Sequence, residues 1–440
     1  MTIRRLVIIS SLLYLYPAAA WALTLPEAVD KGLAVDNSLK EQAAKTAGAE
    51  ASLEQARLGR LGGFRLKASY TDGDEPVYAF ASAMKQGTFG MASMAAVNDP
   101  AHIGNYMAGI EAGVPIYTAG ALSNGIKAGE LGSAAAADAY TRARAGITFK
   151  VTAQWLTVLL RRRMALLAAG AVKDAEAELK TAQMLKERGM VLGSDYYGAE
   201  AILSGLRGRA VEWDRALELE REKLGIVTGE APADAEGELA EAAYGPLPGP
   251  AQRRDVAAME KMAGVYRAAE ATQKGSLLPS VEAFGSLETN SRTMSGFRSS
   301  ALGGIRLSMP IGDPGYFARR RAAGAEAEAA SSRAADAARV ARVELAEARA
   351  GYEAALAALP VARATVDKAR QSYELFRPLY RQGRQSVLEV LRARAALLEA
   401  EAGYSEQVYK LHLYRAAALL AAERLDDAAL AGIAAALPAK

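Results

Sequence analysis

The sequence predicts a mainly α-helical protein with transmembrane β-strands, in which long antiparallel coiled-coil helical hairpins are joined to pairs of strands. The first observation is two very long helix-favouring stretches, residues 119–188 and 319–382. The second is a pair of segments ahead of each stretch that read as β-strands, the first pair rich in aromatic residues and glycine. The third is the order of these parts, which occurs twice along the chain. Together they indicate one structural unit built twice.

The first 22 residues have the layout of a secretory signal peptide. Arg4 and Arg5 precede an apolar run over residues 6–16, and the small residues around Trp21 offer a cleavage site before Leu23. The apolar run is too short to span a bilayer, which argues against a retained membrane anchor. We therefore expect Sec-dependent export, and the lack of cysteine excludes disulfides and a lipid anchor.

The composition argues against several functional classes. The net charge of +3 falls to +1 once the signal peptide is removed, so nothing points to nucleic-acid binding. With two histidines and no cysteine, the chain has little material for a nucleophilic or metal-dependent active site. We expect no enzymatic activity, no cofactor and no metal. No later segment reaches about 18 consecutive apolar residues, so any membrane insertion has to use strands.

The first half of the mature chain begins with a capping box over residues 24–27, which starts a helix. The predicted helices of this half are 24–61, 119–188 and 195–224. The predicted strands are 64–80 and 106–117. Residues 119–188 contain no proline, and a straight helix of that length would extend on the order of 100 Å. The segment 189–194 interrupts the helical pattern.

A proline- and glycine-rich linker, residues 229–252, separates the two halves. After it the same order of elements returns. The predicted helices are 254–278, 319–382 and 386–423. The predicted strands are 281–289 and 301–310. Pro360 and Pro378 should kink the longest helix without ending it, and Gly383 should break it.

The two halves align with each other at a nearly constant offset. A Pro-Ile pair at a strand end, residues 115–116, recurs 195 residues later at 310–311. Gly189 recurs as Gly383, 194 residues later. This agreement predicts an internal duplication. The predicted organisation is a signal peptide (1–22), a first helix and strand-pair repeat (23–228), a linker (229–252), a second repeat (253–423) and a C-terminal tail (424–440).

The spacing of apolar residues in the long helices is typical of antiparallel coiled coils that turn at Gly189 and Gly383. An ordinary helical bundle has the same periodicity and remains an alternative. The four predicted strands, of roughly nine to eleven residues, suit an oblique crossing of a bilayer. Four strands do not close a barrel, and a sheet edge cannot stay open in lipid. Several chains would then have to pool their strands.

These features together resemble the TolC family of outer-membrane efflux proteins over essentially the whole mature chain. The resemblance is carried by short stretches in a fixed order, residues 23–29 (LTLPEAV), 113–117 (GVPIY), 254–255 (RD), 278–281 (LPSV), 380–383 (YRQG) and 386–393 (SVLEVLRA). It implies a homotrimer in the cell outer membrane, whose chains each contribute four strands to one twelve-stranded β-barrel. The helices would continue that barrel as a periplasmic tunnel.

The resemblance implies that the protein is the exit duct of a tripartite efflux or type I secretion system. Its implied partners are a periplasmic adaptor (membrane fusion) protein, an inner-membrane pump and outer-membrane lipid. An alternative from a different class is a periplasmic coiled-coil adaptor or scaffold, which has no need of four bilayer-length strands.

The resemblance also implies a gate at the periplasmic tip of the tunnel. Glu389 corresponds to an acidic position at the family's entrance, where a ring of carboxylates favours cations. Arg392 stands where the family often has a second acid, and it would neutralise the ring or pair with Glu389. The other implied pore or gate residues are Tyr380, Ser194, Asp195, Arg384 and Gln385. The turns that would dock the adaptor contain Gly189, Met190, Val191 and Gly383. The alternative is that these are solvated residues near helix ends.

Overall fold

The computed structural model describes residues 22–91, 94, 98–230 and 232–437, so the predicted signal peptide lies outside the described residues except for Ala22. Helices occupy α1 Leu25–Val35, α2 Asn37–Leu58, α3 Pro76–Gln86, α4 Ala121–Glu187, α5 Gly193–Thr228, α6 Arg254–Gly275, α7 Tyr316–Arg381, α8 Val387–Ala421 and α9 Asp427–Ala435. Strands occupy β1 Ala22–Leu23, β2 Gly63–Gly73, β3 Ile103–Tyr117, β4 Asp234–Ala235, β5 Ser280–Ser291 and β6 Arg298–Ser308. The predicted fold class, mainly α with a few strands, is confirmed. Among the helices of the described ranges, none is both long and apolar enough to cross a membrane.

The chain folds into two compact units, and each draws on both halves of the sequence. We call the first the hairpin unit, made of the described parts of Met1–Lys40, Arg142–Arg253 and Val340–Lys440. The second, the sheet unit, is made of the described parts of Glu41–Thr141 and Arg254–Arg339. The predicted repeats are therefore segments of sequence and do not coincide with these compact bodies.

The sheet unit contains one antiparallel sheet of four strands in the order β2-β3-β5-β6. Its register places Ile110 of β3 between Leu66 of β2 and Leu287 of β5, and Leu287 also faces Ala301 of β6. Strands β2 and β6 form the two edges. Each edge strand has 11 residues, so both present a long row of backbone donors and acceptors.

The first predicted strand, residues 64–80, is wrong beyond residue 73. Strand β2 ends at Gly73, and helix α3 begins at Pro76. The Glu75 carboxylate caps this helix by accepting hydrogen bonds from the backbone nitrogens of Val77 at 3.2 Å and Tyr78 at 2.6 Å. Proline in the first turn is also a helix-start signal, because its fixed φ suits the helix. The other three strands occur where expected and are longer than predicted.

The hairpin unit is built around four long helical segments that share one buried cluster. Ala171 of α4, Leu203 of α5, Tyr373 of α7 and Leu391 of α8 all belong to it. Alanines with no exposed surface contribute much of the α4 seam, which permits close approach of the helix backbones. The predicted hairpins are confirmed, with helix ends within four residues of those predicted. Helix α7 continues through Pro360 and Pro378.

The helix predicted over residues 24–61 is wrong as a single element, because Asp36 divides it into α1 and α2. Asp36 has an extended backbone (φ −61°, ψ 117°), and its carboxylate accepts hydrogen bonds from the backbone nitrogens of Ser38 at 2.8 Å and Leu39 at 3.1 Å. The side-chain hydrogen bond from Ser38 contributes most to lowering the pKa of Asp36. Asp36 therefore ends one helix and caps the next.

The linker crosses the hairpin unit without long regular structure and is fastened at several points. Its strand β4 pairs in parallel with β1, the first strand of the described residues. Asp234 of β4 forms ion pairs with Arg162 of α4 and, at 2.6 Å, with Arg221 of α5. Beyond the second repeat, the predicted tail contains helix α9, which Asp426 caps.

Candidate functional site

The four-stranded sheet has one charged face and one face with almost no charge. Side chains alternate between the faces of a strand, so the register assigns every residue to a face. On the charged face lie Arg65, Lys67, Glu111, Glu282, Glu288, Arg298 and Arg306. The opposite face carries a single charge, Asp72 near the end of β2. Seven of the eight charged residues in these four strands therefore share one face of the sheet.

The uncharged face leaves large apolar side chains exposed. Phe64 is 80% exposed, Leu66 is 82% exposed and Ile305 is 72% exposed. A contiguous apolar surface of this kind marks contact with lipid or protein. The charged face instead carries charges of both signs, with Lys67 paired to Glu111 and Arg306 placed 3.8 Å from Glu282. Arg306 also lies over the Phe284 ring at 4.5 Å.

The two hairpin turns have the same backbone geometry. Gly189 (φ 74°) and Gly383 (φ 69°) both adopt the left-handed conformation that glycine tolerates best. In the first turn the nitrogen of Gly189 donates to the oxygen of Lys186, and in the second the nitrogen of Gly383 donates to that of Tyr380. The next residue of each turn donates to the oxygen five residues back, at Leu185 and Leu379. Both helices thus end in a Schellman motif.

The structure places the predicted gate residues in and around these turns. Glu389 and Arg392 form an ion pair at 2.6 Å one helical turn apart on α8. Ser194 and Asp195 lie in the first turn of α5, and the exposed Arg384 and Gln385 lie between α7 and α8. Of the docking residues, Met190 is 69% exposed.

Tyr380 is buried, with 2% exposure, at the end of α7. Its hydroxyl has no hydrogen-bond partner among the described residues, so the structure does not bond it to Ser194 or Asp195. Burial raises the pKa of Tyr380 to about 12, and the nearby Glu178 carboxylate adds to that shift. The phenol is therefore neutral at physiological pH.

Sequence analysis missed the ion pairs that join the two hairpins. The Glu178 side chain of α4 is 2% exposed and accepts a hydrogen bond from Arg377 Nε of α7 at 2.6 Å, with Arg381 at 3.5 Å. That hydrogen bond is the main reason that the pKa of Arg377 is raised. One sequence signal could have indicated this pair. Glu178 follows Ala171 and Ala175 at helical spacing, so its carboxylate lies on the same helix face as the small, buried alanines.

A second cross-hairpin pair lies on α8. Arg394 is 5% exposed, and its Nε donates to Asp174 of α4 at 2.9 Å. Its guanidinium also lies over the Tyr373 ring at 5.7 Å. An almost buried arginine of this kind, paired and stacked on an aromatic ring, fixes the lateral alignment of the hairpins.

His412 fastens the linker to α8. It is fully buried, its Nε2 lies 2.8 Å from the oxygen of Ala240 and its Nδ1 lies 2.6 Å from the hydroxyl of Tyr244. A carbonyl oxygen only accepts, so Nε2 carries the proton and Nδ1 accepts from Tyr244. Burial lowers the pKa of His412, so the neutral ring is the stable form.

A family model described as "Outer membrane efflux protein" matches residues 250–422, the second repeat with its strand pair and hairpin. This part of the chain belongs to the outer membrane efflux protein family. This confirms the resemblance to TolC-type proteins, the outer-membrane location and the interpretation as an exit duct. The match to an outer-membrane family argues against the alternative, a periplasmic coiled-coil adaptor or scaffold. None of the curated proteins matches the sequence significantly.

Solved structures of outer-membrane channels share the fold over nearly the whole chain. The Campylobacter jejuni CmeC outer membrane channel matches with a TM-score of 0.80 and 16% identity, covering 94% of this chain and 90% of that one. The open state of the Neisseria gonorrhoeae MtrE outer membrane channel matches with a TM-score of 0.78 and 17% identity, covering 92% and 90%. The outer membrane protein VceC of Vibrio cholerae matches with a TM-score of 0.78 and 16% identity, covering 90% and 95%. At these identities the likeness establishes the fold of this chain.

Proposed function

We propose that three copies of this chain pool their strands into one twelve-stranded barrel that crosses the outer membrane. The observation that carries the proposal is a four-stranded sheet with two long unpaired edges and one nearly uncharged face. In lipid, the backbone groups of β2 and β6 require partners. Because the strand number is even, β6 of one copy meets β2 of the next in antiparallel orientation.

The copy number follows from the size of the barrel. Two copies would give eight strands, a barrel whose interior is just filled by side chains. Three copies leave room for a channel. Edge strands of 11 residues extend about 37 Å and, tilted by about 45°, cover about 26 Å, close to the apolar height of an outer-membrane barrel. In this arrangement the uncharged face meets lipid and the charged face meets the water-filled lumen.

The hairpins supply the periplasmic part of the duct. Their tips carry exposed apolar residues, with Leu192 70% exposed beside Met190. We assign the docking of a periplasmic adaptor protein to the turns at Gly189, Met190, Val191 and Gly383. Through that adaptor the duct would receive cargo from an inner-membrane pump of a tripartite efflux or type I secretion system.

The gate of the duct belongs to the same tips. Its residues are Glu389, Arg392, Asp195, Ser194, Tyr380, Arg384 and Gln385. Support comes from the Glu389–Arg392 ion pair, which sets opposite charges 2.6 Å apart in the first turns of α8. Both hairpins turn in the same Schellman motif, which supports an origin by duplication. The duplicated halves are 23–228 and 253–423, and the linker 229–252 joins them.

A test of the proposal measures assembly and conductance of the full-length protein. Outer-membrane fractions are washed with carbonate and extracted with detergent, and the mass of the extracted particle is measured by light scattering. We expect a protein that resists carbonate, has the mass of three chains and forms ion-conducting pores in planar bilayers. Release by carbonate as a monomer would contradict the proposal.

A further inference from the structure

Helix α3 lies against the charged face of the four-stranded sheet. The residues that it buries are small or polar and spaced along one side, Ala79, Ser82, Ala83 and Gln86. Gln86 Nε2 donates to the Asn105 side chain at 3.0 Å and to the oxygen of Gly104 at 2.9 Å. Asn105 in turn donates to the Asn290 side chain at 2.8 Å. Asn105 and Asn290 both lie on the charged face, so the helix sits on that side.

The two ends of α3 are attached to different strands. At its start, the Tyr78 hydroxyl donates to the oxygen of Thr71 at the end of β2. At its end, Lys85 forms an ion pair with Glu288 of β5 at 2.7 Å. Arg298 of β6 packs against Gly87, where a Cβ atom would overlap the guanidinium. The helix therefore crosses the sheet from one edge strand toward the other.

The side of α3 that faces away from the sheet is apolar. Val77 is 74% exposed and Met84 is 51% exposed. Phe80 meets Phe89 edge to face, with ring centroids 4.7 Å apart. The only charge near this surface on α3 itself is Lys85, which is engaged by Glu288.

We propose that α3 is a constriction inside the outer end of the duct, where Val77 and Met84 of each copy line a narrow apolar passage. The inference rests on the proposed function, since the charged face of the sheet becomes the lumen only in the closed barrel. A twelve-stranded barrel is roughly 24 Å across, whereas a helix with its side chains measures about 10–12 Å. Three inward helices then occupy most of the opening.

An apolar constriction discriminates between cargoes by their hydration. A narrow passage lined by apolar side chains resists hydrated ions, because water leaves it readily. Methionine is flexible and polarisable, so it adapts to the shapes of different apolar molecules. The residues therefore favour passage of apolar or amphipathic molecules over small ions, and Val77 and Met84 are specificity-determining residues of the duct.

The test uses cysteine substitutions, since the natural chain contains no cysteine. Met84→Cys places a thiol on the apolar side of α3. The matched control is Met294→Cys, in the short turn between β5 and β6, where the methionine is 79% exposed. Both full-length variants are inserted into planar bilayers and treated with a positively charged methanethiosulfonate reagent, and mass spectrometry verifies that both thiols react.

We expect the reagent to lower the single-channel conductance of Met84→Cys by at least half and to leave Met294→Cys unchanged. A second variant replaces residues 75–88 by a short Gly-Ser link, and its conductance should at least double. Equal responses of the two labelled cysteine variants would overturn the constriction while pores still form. A protein that forms no pores with or without residues 75–88 would instead contradict the proposed duct and the constriction together.

Discussion

Glu178 and Arg377 form an ion pair between the two helical hairpins, with the carboxylate 2.6 Å from Nε and only 2% of the Glu178 side chain exposed. Desolvating a carboxylate is costly unless its partners stay in place. Arg377 and Arg381 both approach this one carboxylate, so its removal leaves two cations without their counter-charge.

Glu178→Ala should therefore destabilise the protein by about 1–3 kcal/mol, less than for a fully buried pair, because Arg377 and Arg381 are 43% and 59% exposed and remain hydrated. The measurement is chemical unfolding of the detergent-solubilised protein followed by circular dichroism. Glu187→Ala, at an exposed position near the end of the same helix, is the control and should change stability by less than about 0.5 kcal/mol. Equal effects of both changes would contradict the role assigned to Glu178.

The Glu389–Arg392 pair predicts opposite changes of ion selectivity for its two members. Glu389→Gln leaves Arg392 without its partner and should shift the preference of the pore toward anions. Arg392→Gln should shift it toward cations. A unit charge at about 4 Å in water is worth about 1 kcal/mol, so the permeability ratio should change by up to about fivefold. Reversal potentials across a salt gradient measure the effect, and unchanged values in both variants would show that neither residue lines the entrance.

His412 predicts a loss of stability on acidification. Burial lowers its pKa in the folded protein, so below the usual value near 6.5 the unfolded chain takes up a proton that the folded chain does not. Stability should then fall by about 1.4 kcal/mol per pH unit as the pH drops below about 6.5. The groups that face the ring are Tyr244 and the oxygen of Ala240, and Arg415 lies over the other side of Tyr244.

Comparing the pH dependence of the unfolding free energy between variants isolates the contribution of His412. His412→Gln should remove the slope between pH 5 and pH 7, whatever its effect on stability at neutral pH. Gln371→Ala changes an exposed, uncharged residue of the hairpin unit and should leave the slope intact. A slope that survives in His412→Gln would assign the effect to other groups.

Replacing glycine by alanine should change the free energy of unfolding in opposite directions at the hairpin turns and inside α5. Gly383→Ala and Gly189→Ala each place a Cβ atom in the left-handed region, although nothing else lies within 4 Å. Each should cost about 1–2 kcal/mol. Gly205→Ala and Gly208→Ala lie inside α5, also with open space, and should stabilise the protein by about 0.5–1 kcal/mol. Thermal unfolding of the four variants measures both effects, and a common sign would contradict the backbone argument.

Local patterns were sufficient to predict the helical hairpins. The ends of α4 at Glu187 and of α7 at Arg381 lie within one residue of the predicted ends, because helix periodicity and a following glycine are both local signals. Helix α3 was missed because its apolar residues continue those of β2. Glu75 and Pro76 are the local signal that marks the start of this helix.

Local sequence patterns did not predict contacts between distant parts of the chain. Glu178 and Arg377 are 199 residues apart, and no local periodicity relates them. The charged and uncharged faces of the sheet likewise become visible only when the register pairs β3 with β5 across the two halves. Tyr380 was named as a gate residue from the resemblance, whereas its burial and its unbonded hydroxyl are visible only in the packed hairpins.

The division of the chain into two interleaved units has a consequence for biogenesis. A chain that crosses the inner membrane from its N-terminus delivers β2 and β3 long before β5 and β6, which begin at Ser280 and Arg298. During that interval a half-built sheet with exposed apolar residues is prone to aggregation. Residues 41–141 must stay unfolded or be shielded by a holding chaperone until residue 308 has arrived. Translocation rate and chaperone supply, more than the stability of either finished unit, would then limit the yield of this duct.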